Sequence, residues 1–575
     1  MKRLFNEHAK RKVIDLNGSW LFKLDENKIG ENEGWQNGLT DAEIVTVPSC
    51  WNNELGLLNY EGMAWYEKKF LTNGGTLRLE FGSVMTKADI WLDGNYIGNH
   101  YGAFTQFEFI VNNVSEGEHT LIVKADSTIT ADSFPQRYTD WFNYGGIARD
   151  VEANELCGIS ILSNHIEYTL SDDLKNATVK SVLELYNANS EKCTSNVSVK
   201  IGDTTIYNDN ITLNGYETKI VEASEYTLEN IKLWGIYEPN LYTVVASTDT
   251  DDLIDKIGFR KIEVKDLKVL LNNEAIQFLG VNRHEEQAEW GFAFPAKLMK
   301  KDLDLILDMG CNTIRGSHYP NSQIFVDMLD AKGIMFWSEI PMWGVGFSEA
   351  SLLNDELMEK GFNMHKEMVK YYYNHPSIVL WGLHNEIPTY SPNSYHVSEK
   401  WSKYLRENGG NRLITHASCH PMKDNDMGFD DIISINIYHG WYRYGGYDGT
   451  WQDWEKMIEQ FTQRRKEMGW EDKPVLMSEF GAAALAGYHT PFDKVKWSEE
   501  YQRDLFEYTI ELFHKTPYMV GTYPWQFANI RTSPSMDINR VRYFNNKGIV
   551  DEYRNPKLAY YKIKELYHKY AEENK

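Results

Sequence analysis

The sequence predicts a multidomain chain: a β-rich N-terminal half, built of a jelly roll and an immunoglobulin-like β-sandwich, followed by a (β/α)8 TIM barrel. Three observations predict it. Residues 1 to about 265 alternate apolar and polar side chains between Gly, Asn and Asp turns, the period of half-buried strands. From about residue 266, short apolar runs alternate with stretches of helical period. At 575 residues, the chain is also too long for a single core.

Within the first half, Thr76-Leu77-Arg78-Leu79-Glu80-Phe81 and Ala88-Asp89-Ile90-Trp91-Leu92-Asp93-Gly94 are representative strands. A division near residue 160 leaves 1–160, the length of a jelly roll, and 161–265, the length of an immunoglobulin-like sandwich. In the second half, 266–575, a helix over 296–309 sets Met299, Leu303, Ile306 and Leu307 on one face and stops at Gly310. Helices from Ile324 to Lys332 and from Leu353 to Tyr372 follow, and Asn555-Pro556 reads as the N-cap and first residue of the last one. Strands lie near 275–283, 312–316, 334–339, 377–385, 413–418, 432–437, 474–479 and 521–526. Eight strands with helices between them make the barrel.

Two of those strands stop at a glutamate, in Ser377-Ile378-Val379-Leu380-Trp381-Gly382-Leu383-His384-Asn385-Glu386 and Lys473-Pro474-Val475-Leu476-Met477-Ser478-Glu479. Each run suits a buried parallel strand and delivers its carboxyl group to the end where barrels build sites. Glu386 ends strand four and Glu479 strand seven on this count. A pair of carboxyl groups facing one cavity, about 5–5.5 Å apart, is what retaining cleavage of a glycosidic bond requires. An ionised Glu479 would attack the anomeric carbon. A protonated Glu386 would donate to the departing oxygen, then deprotonate the hydrolytic water. Opposite protonation states need different surroundings. Trp381, Leu383 and Ile387-Pro388 are apolar neighbours that would keep Glu386 protonated by desolvation. Asn385 is suited to hold a sugar hydroxyl. A lone strand-terminal glutamate more often caps a helix or pairs with arginine, and Glu339, ending strand three, is assigned to structure.

Charge narrows the partners. With 59 Lys and Arg against 83 Asp and Glu, the net charge is −24, which disfavours nucleic acid and anionic membranes. An anionic substrate would need a local cation in its pocket. No apolar stretch reaches about 18 residues, so no membrane span is expected, and Met1 to His8 lack the apolar core of a signal peptide. The five cysteines are scattered without CxxC spacing, and no His-Glu-x-x-His occurs. Neither a disulfide framework, a metal nor a cofactor is expected, and a cytoplasmic location is.

The segments Gly280-Val281-Asn282-Arg283-His284-Glu285, Asn312-Thr313-Ile314-Arg315-Gly316-Ser317-His318-Tyr319-Pro320, Asn374-His375-Pro376, His384-Asn385-Glu386 and Ser478-Glu479-Phe480-Gly481 resemble glycoside hydrolase family 2. The resemblance runs nearly end to end, through Asn59-Tyr60-Glu61-Gly62-Met63-Ala64-Trp65-Tyr66 and Trp141-Phe142-Asn143-Tyr144-Gly145-Gly146-Ile147 in the N-terminal part. It implies a sugar-binding-like jelly roll, with Glu386 as acid/base and Glu479 as nucleophile of a retaining mechanism. The members it resembles most act on β-glucuronides, which implies a retaining exo-β-glucuronidase. A β-galacturonidase, or an enzyme acting on both uronides, is the alternative.

Lys547 sits in a loop just after strand eight. Most loop lysines are solvated, but the resemblance makes Asn545 and Lys547 an Asn-x-Lys motif that binds the C6 carboxylate. Such a partly desolvated charged contact is worth roughly 2–4 kcal/mol. A β-galactosidase fits less well, since a neutral sugar gives this pair no partner. A non-catalytic carbohydrate-binding protein would not need both glutamates. The resemblance also implies that Asp140, His318 and Asn436 bind sugar hydroxyls, that Tyr438 and Arg315 hold the nucleophile, and that Trp525 closes the subsite floor. Some members of the family place an arginine four residues before the Asn of the motif. Here that residue is Val541, flanked by Arg540 and Arg542. With only one helix between Pro341 and Asn374, the site should be comparatively open, favouring larger aglycones or short oligosaccharides, and the expected partner is a small-molecule glucuronide or a short uronic-acid-capped oligosaccharide. The resemblance implies a homo-oligomer, dimer or tetramer.

Overall fold

A computed structural model describes residues 2–573 except 138, 345–346, 445–446, 449, 452 and 534–539, and of 443–444 and 447–448 the backbone alone. Two antiparallel sheets face each other in the N-terminal part. One orders Lys12–Asp15, Val151–Leu156, Gly75–Phe81 and Phe107–Val114; the other orders Glu43–Val47, Gly18–Leu24, Met63–Thr72, Gly117–Asp126, Lys87–Leu92 and Asn95–Tyr101. Strand alternation sends Leu77, Leu79 and Phe81 from one sheet and Leu121, Val123 and Ala125 from the other into one core. On the opposite face of the first sheet, Arg78 Nε donates to Glu108 at 3.1 Å, and Glu108 also accepts from Lys370 Nζ at 3.2 Å. That ion-paired seam docks the sheet on the helical shell of the C-terminal domain.

The second sandwich pairs Ile159–Leu170, Ala177–Asn187 and Thr218–Glu222 in one sheet. Thr204–Leu213, Cys193–Ile201, Tyr242–Ser247 and Asp252–Ile257 make the other. Val179, Leu183, Val197, Val199 and Val244 fill its core. Arg260 fastens it to the barrel: Nε donates to Pro376 O at 2.7 Å and Nη2 to Ile378 O at 2.6 Å.

The C-terminal sheet is a closed parallel barrel. Strand one is broken into Phe278–Leu279, which pairs with strand eight (Met519–Pro524), and Asn282–Arg283, which pairs with strand two (Thr313–Gly316). The break bridges the two ends of the sheet. At Gly280 an added Cβ would lie 2.4 Å from the Tyr523 ring, so only glycine lets the strand pass. Strands three to seven are Met335–Glu339, Ile378–Asn385, Leu413–Ser418, Ile433–Asn436 and Val475–Phe480. A hairpin sheet over Ile262–Lys265, Lys268–Leu271 and Glu274–Ile276 supplies Ile262, Val269 and Leu271 to the cluster holding the barrel residues Trp337, Leu380, Leu476 and Tyr523. It plugs the end where the strands begin, leaving the carboxyl end for a site.

Helix Ala296–Asp308 buries Met299, Leu303 and Ile306, and left-handed Gly310 (φ 86°) follows it. Helix Gln323–Lys332 stops at left-handed Gly333 (φ 70°). Helix Asp355–Tyr372 begins two residues later than expected, where the Asn354 side chain accepts from Leu357 N at 3.1 Å. The start expected at Asn555-Pro556 is a correction. Asn555 hydrogen-bonds back to Asp551 through its backbone and its side chain, both at 2.8 Å, and Pro556 bridges Val550. The helix runs Leu558–Glu573, and its first N–H is capped from afar by Glu499 Oε2 at 2.8 Å. A distant carboxylate outcompetes the local cap.

Candidate active site

Strand ends carry the residues singled out in the sequence to one place. Glu479 is the fifth residue of strand seven. Glu386 follows strand four directly, in left-handed backbone (φ 56°) that turns its side chain out of the strand's alternation. One hydrogen-bonded chain joins them. Asn436, closing strand six, donates from Nδ2 to Glu386 Oε1 at 2.8 Å and to Asn385 Oδ1 at 3.1 Å. Asn385 Oδ1 accepts from Arg315 Nη2 at 2.7 Å, and Arg315 Nη1 donates to Glu479 Oε1 at 2.8 Å. Tyr438 Oη donates to the other oxygen, Glu479 Oε2, at 2.8 Å. Asn385 Nδ2 is buried with no partner among the described residues.

Arg315, fully buried on strand two, is the hub. Its Nε and Nη2 grip both oxygens of Glu339 at 3.0 and 2.8 Å, and its guanidinium lies 4.4 Å from the Trp337 ring. Glu339 is thus the arginine's structural partner, as expected. Truncating Arg315 would leave two buried carboxylates uncompensated, at a cost of about 3–5 kcal/mol. His318 Nδ1 meets Glu339 Oε1 at 2.8 Å, while its Nε2 stands 3.9 Å from Glu479. Trp525 stacks on the His318 ring, centroids 5.0 Å apart.

The two glutamates differ electrostatically. Burial, then the charge of Glu479, push Glu386 up to about 8, against the Asn436 hydrogen bond and Arg315. Burial also raises Glu479, but the charge and hydrogen bond of Arg315 and the Tyr438 hydrogen bond oppose it directly. Arg315 thus favours ionisation of Glu479 more than of Glu386. Burial and Arg315 depress His318 far below the usual imidazole range, so its ring is neutral.

The third group of residues comes from three distant segments. Lys547 is 1% exposed, and its Nζ donates to Tyr442 Oη at 2.5 Å. The same hydroxyl accepts from Arg540 Nη2 at 3.2 Å. Arg540 Nε donates to Asp140 Oδ1 at 3.0 Å, its Nη2 contacts the other oxygen, and Asn545 Nδ2 donates to Asp140 Oδ2 at 2.8 Å. Of the two arginines flanking Val541, Arg540 therefore turns inward, while Arg542 is 60% exposed and pairs with Glu552. Lys547 is held well below the usual ammonium range, by burial first and by Arg540 second. The carboxylates of Asp140, Glu479 and Glu386 oppose that shift, and Nζ lies 5.4 Å from the ring of Tyr438, whose hydroxyl bonds Glu479.

All the residues named in advance are brought together: Asp140, His318, Asn385, Glu386, Asn436, Tyr438, Glu479, Trp525, Asn545 and Lys547. Tyr442 and the inward turn of Arg540 were not foreseen. The only signal for Tyr442 was its place four residues past Tyr438, and nothing local distinguishes Arg540 from Arg542. Among the described residues, two His/Asp groups have ligand atoms close enough to hold a metal ion, His8/Asp251/Asp252 and Asp327/Asp330/His375. In each, an arginine already neutralises an aspartate: Arg11 on Asp251 at 2.7 Å and Arg3 on Asp327 at 2.8 Å. A cleft of about 670 Å³ between the second sandwich and the barrel helices, lined by Tyr168, Lys180, Lys366 and Tyr404, holds none of the site residues.

Comparison with known proteins matches this architecture throughout. Residues 13–156 match the sugar binding domain of glycosyl hydrolases family 2, 159–260 the family's central domain, and 262–572 its TIM barrel domain. A Streptococcus agalactiae β-glucuronidase is 28% identical over 95% of this chain and 94% of its own. The crystal structure of a GH2 β-galacturonidase from Eisenbergiella tayi bound to galacturonate is 33% identical, covers 99% of both chains and superposes with a TM-score of 0.91. A β-glucuronidase from an uncultured Clostridium sp. is 27% identical over 99% of both chains, with a TM-score of 0.85. With three domains matched in order over nearly its whole length, the chain is a glycoside hydrolase and belongs to glycoside hydrolase family 2.

Proposed function

We propose that the chain is a retaining exo-β-uronidase that hydrolyses β-D-glucuronides to glucuronic acid and an aglycone. The observation that carries this reading is Lys547, a buried cation that shares the Tyr442 hydroxyl with Arg540 and lies 5.4 Å from the ring of Tyr438, the residue bonded to Glu479. On a chain of net charge −24, a buried ammonium pushed toward neutrality is poorly placed unless an anion joins it. A substrate carboxylate there supplies that anion and orients the sugar with its anomeric carbon over Glu479. Glu479 attacks, Glu386 gives its proton to the leaving oxygen, and the roles of Glu386 reverse when water resolves the ester. Asn385 and Asn436, which meet at Asn385 Oδ1, present amide groups to the sugar hydroxyls. His318, Trp525 and Asp140 complete the walls. The aglycone is a small molecule or a short oligosaccharide. The protein works as a homo-oligomer in the cytoplasm, where five free cysteines are at home.

The second reading is a β-galacturonidase or dual uronidase, favoured by the likeness to the Eisenbergiella tayi enzyme. The two sugars share the carboxylate and differ at C4. Parallel assays on the 4-nitrophenyl β-glucuronide, β-galacturonide and β-galactoside test both. We expect a uronide to exceed the galactoside by about 30-fold or more in kcat/KM, the lower end of a buried charge contact. A galactoside turned over as well as either uronide would overturn the reading.

The pH dependence follows from Glu386. Its folded value of about 8 lies above the ordinary carboxyl range, so the acid form is present below about pH 8 and is lost as pH rises through it. We expect kcat/KM on an unactivated glucuronide to fall above about pH 8. A fall already complete by pH 6 would show that Glu386 is not the group titrating on that limb.

A further inference from the structure

Behind Glu386 lies a fully buried charged cluster, His416, Asp424 and Asp430. The turn Glu386–Ser391 leaves strand four through a left-handed residue, a conformation that persists only when the surroundings impose it. Contacts from the next strand and the loop beyond it help hold this turn. Glu386 N donates to Ala417 O at 2.8 Å, Asn425 N donates to Thr389 O at 3.1 Å, and Thr389 Oγ1 donates a short hydrogen bond to Asp424 Oδ2. Asp424 Oδ2 also faces His416 Nε2 at 3.1 Å, and His416 Nδ1 faces Asp430 Oδ2 at 3.0 Å. His416, Asp424 and Asp430 are all 0% exposed.

Such a triplet is dear to bury, and an apolar core of the same volume would serve the fold as well. Its arrangement nonetheless does one thing an apolar core could not. The two aspartates hold His416 well above the usual imidazole range, and the imidazolium holds Asp424 well below the usual carboxyl range. Asp424 therefore stays an ionised acceptor, and a hydrogen bond to an ionised acceptor is shorter and stronger than a neutral one. Other groups around the cluster include His384, whose ring lies 4.8 Å from that of His416, Asp426, which accepts from Ser398 Oγ at 2.9 Å, and Lys473, which donates to Asp430 O. His384 is depressed by burial and by His416, so it adds no second cation.

We propose that Thr389, Asp424 and His416 are positioning residues: through the Thr389 hydroxyl they fix the turn that aims the Glu386 carboxyl at the leaving oxygen. The inference rests on Glu386 being the acid/base. All three are buried, at 1% exposure or less, so the expected effect is on proton donation alone. A misaimed acid slows cleavage in proportion to how much the leaving group needs its proton.

The test compares kcat/KM, which reports the first chemical step, on two uronides of the preferred sugar. One has an alkyl alcohol leaving group, which must be protonated; the other has 2,4-dinitrophenolate, which need not be. Thr389→Val should lose on the order of tenfold on the alkyl substrate, a fraction of what general acid catalysis supplies, and stay within about twofold on the dinitrophenyl substrate. Thr389→Ser, which keeps the hydroxyl, should stay near wild type on both. The ratio of the two substrates does not depend on how much of the protein is folded, so partial unfolding cannot mimic the result. Equal losses on both substrates, or none on either, would overturn the inference. Glu386→Gln is the control. If its loss is graded by leaving group and that of Thr389→Val is not, the anchor fails alone. If its loss is also flat, the acid role of Glu386 fails, and the anchor with it.

Discussion

Glu479→Ala lowers kcat on an aryl uronide by on the order of 10⁴-fold or more, the scale on which removal of a covalent nucleophile is felt. The fold should survive it. Arg315 now serves two buried carboxylates, Glu339 and Glu479. Without Glu479 it keeps Glu339, and the cluster goes from one cation against two acids to a balanced pair. Thermal stability therefore holds or rises, which separates loss of chemistry from loss of structure. The space left beside Arg315 and Tyr438 admits a small anion. Azide entering there attacks from the face that Glu479 occupied, so activity on an activated uronide returns and the product is the α-uronosyl azide. Glu386→Ala should behave in the opposite sense. Its nucleophile is intact, azide enters in the second step from the other face, and the product is the β-azide. Exchanged stereochemistries would mean that the two roles are exchanged.

Lys547→Met carries the second large effect. It removes the ammonium while keeping most of the apolar stem, so packing beneath Tyr438 and Tyr442 is retained; those rings lie 5.4 and 4.6 Å from Nζ. The uronide loses roughly 2–4 kcal/mol of transition-state binding, about 30- to 1000-fold in kcat/KM, because its carboxylate meets a dry pocket with its main cation gone. Any residual galactosidase activity should stay the same or rise, since a neutral C6 hydroxyl never used the charge. Measuring both substrates on the same preparation isolates the carboxylate contact. Equal losses on the two would assign Lys547 to structure. Arg540 does not replace it, because its guanidinium is already engaged by Asp140.

Much of this site is legible in the sequence, for identifiable reasons. Parallel strands buried on both faces leave unbroken apolar runs, so the ends of strands four and seven could be read directly, with Glu386 and Glu479 at them. The helix stops at Gly310 and Gly333 were equally plain, since left-handed backbone favours glycine. What depended on the resemblance was the meaning of single polar residues such as Asp140, His318, Asn436 and Lys547, whose neighbours in sequence say nothing about where they point. What no local pattern contained were contacts between remote segments. Asp140 and Arg540 are 400 residues apart and meet only because a jelly-roll loop reaches the barrel mouth. Glu499 caps a helix 59 residues on, so the local Asn555-Pro556 signal does not mark the start of that helix. His416, Asp424 and Asp430 look like ordinary strand and loop residues until their burial shows an imidazole held between two carboxylates.

The division of labour between the two glutamates is tested most directly by trapping the intermediate. A 2-deoxy-2-fluoro uronosyl fluoride slows both chemical steps through its C2 fluorine, while the fluoride leaving group keeps the first step the faster, so the ester accumulates. Peptide mass analysis of the stalled protein should find the sugar on Glu479. A label on Glu386 or on any other side chain, or turnover with no covalent species, would contradict the assignment.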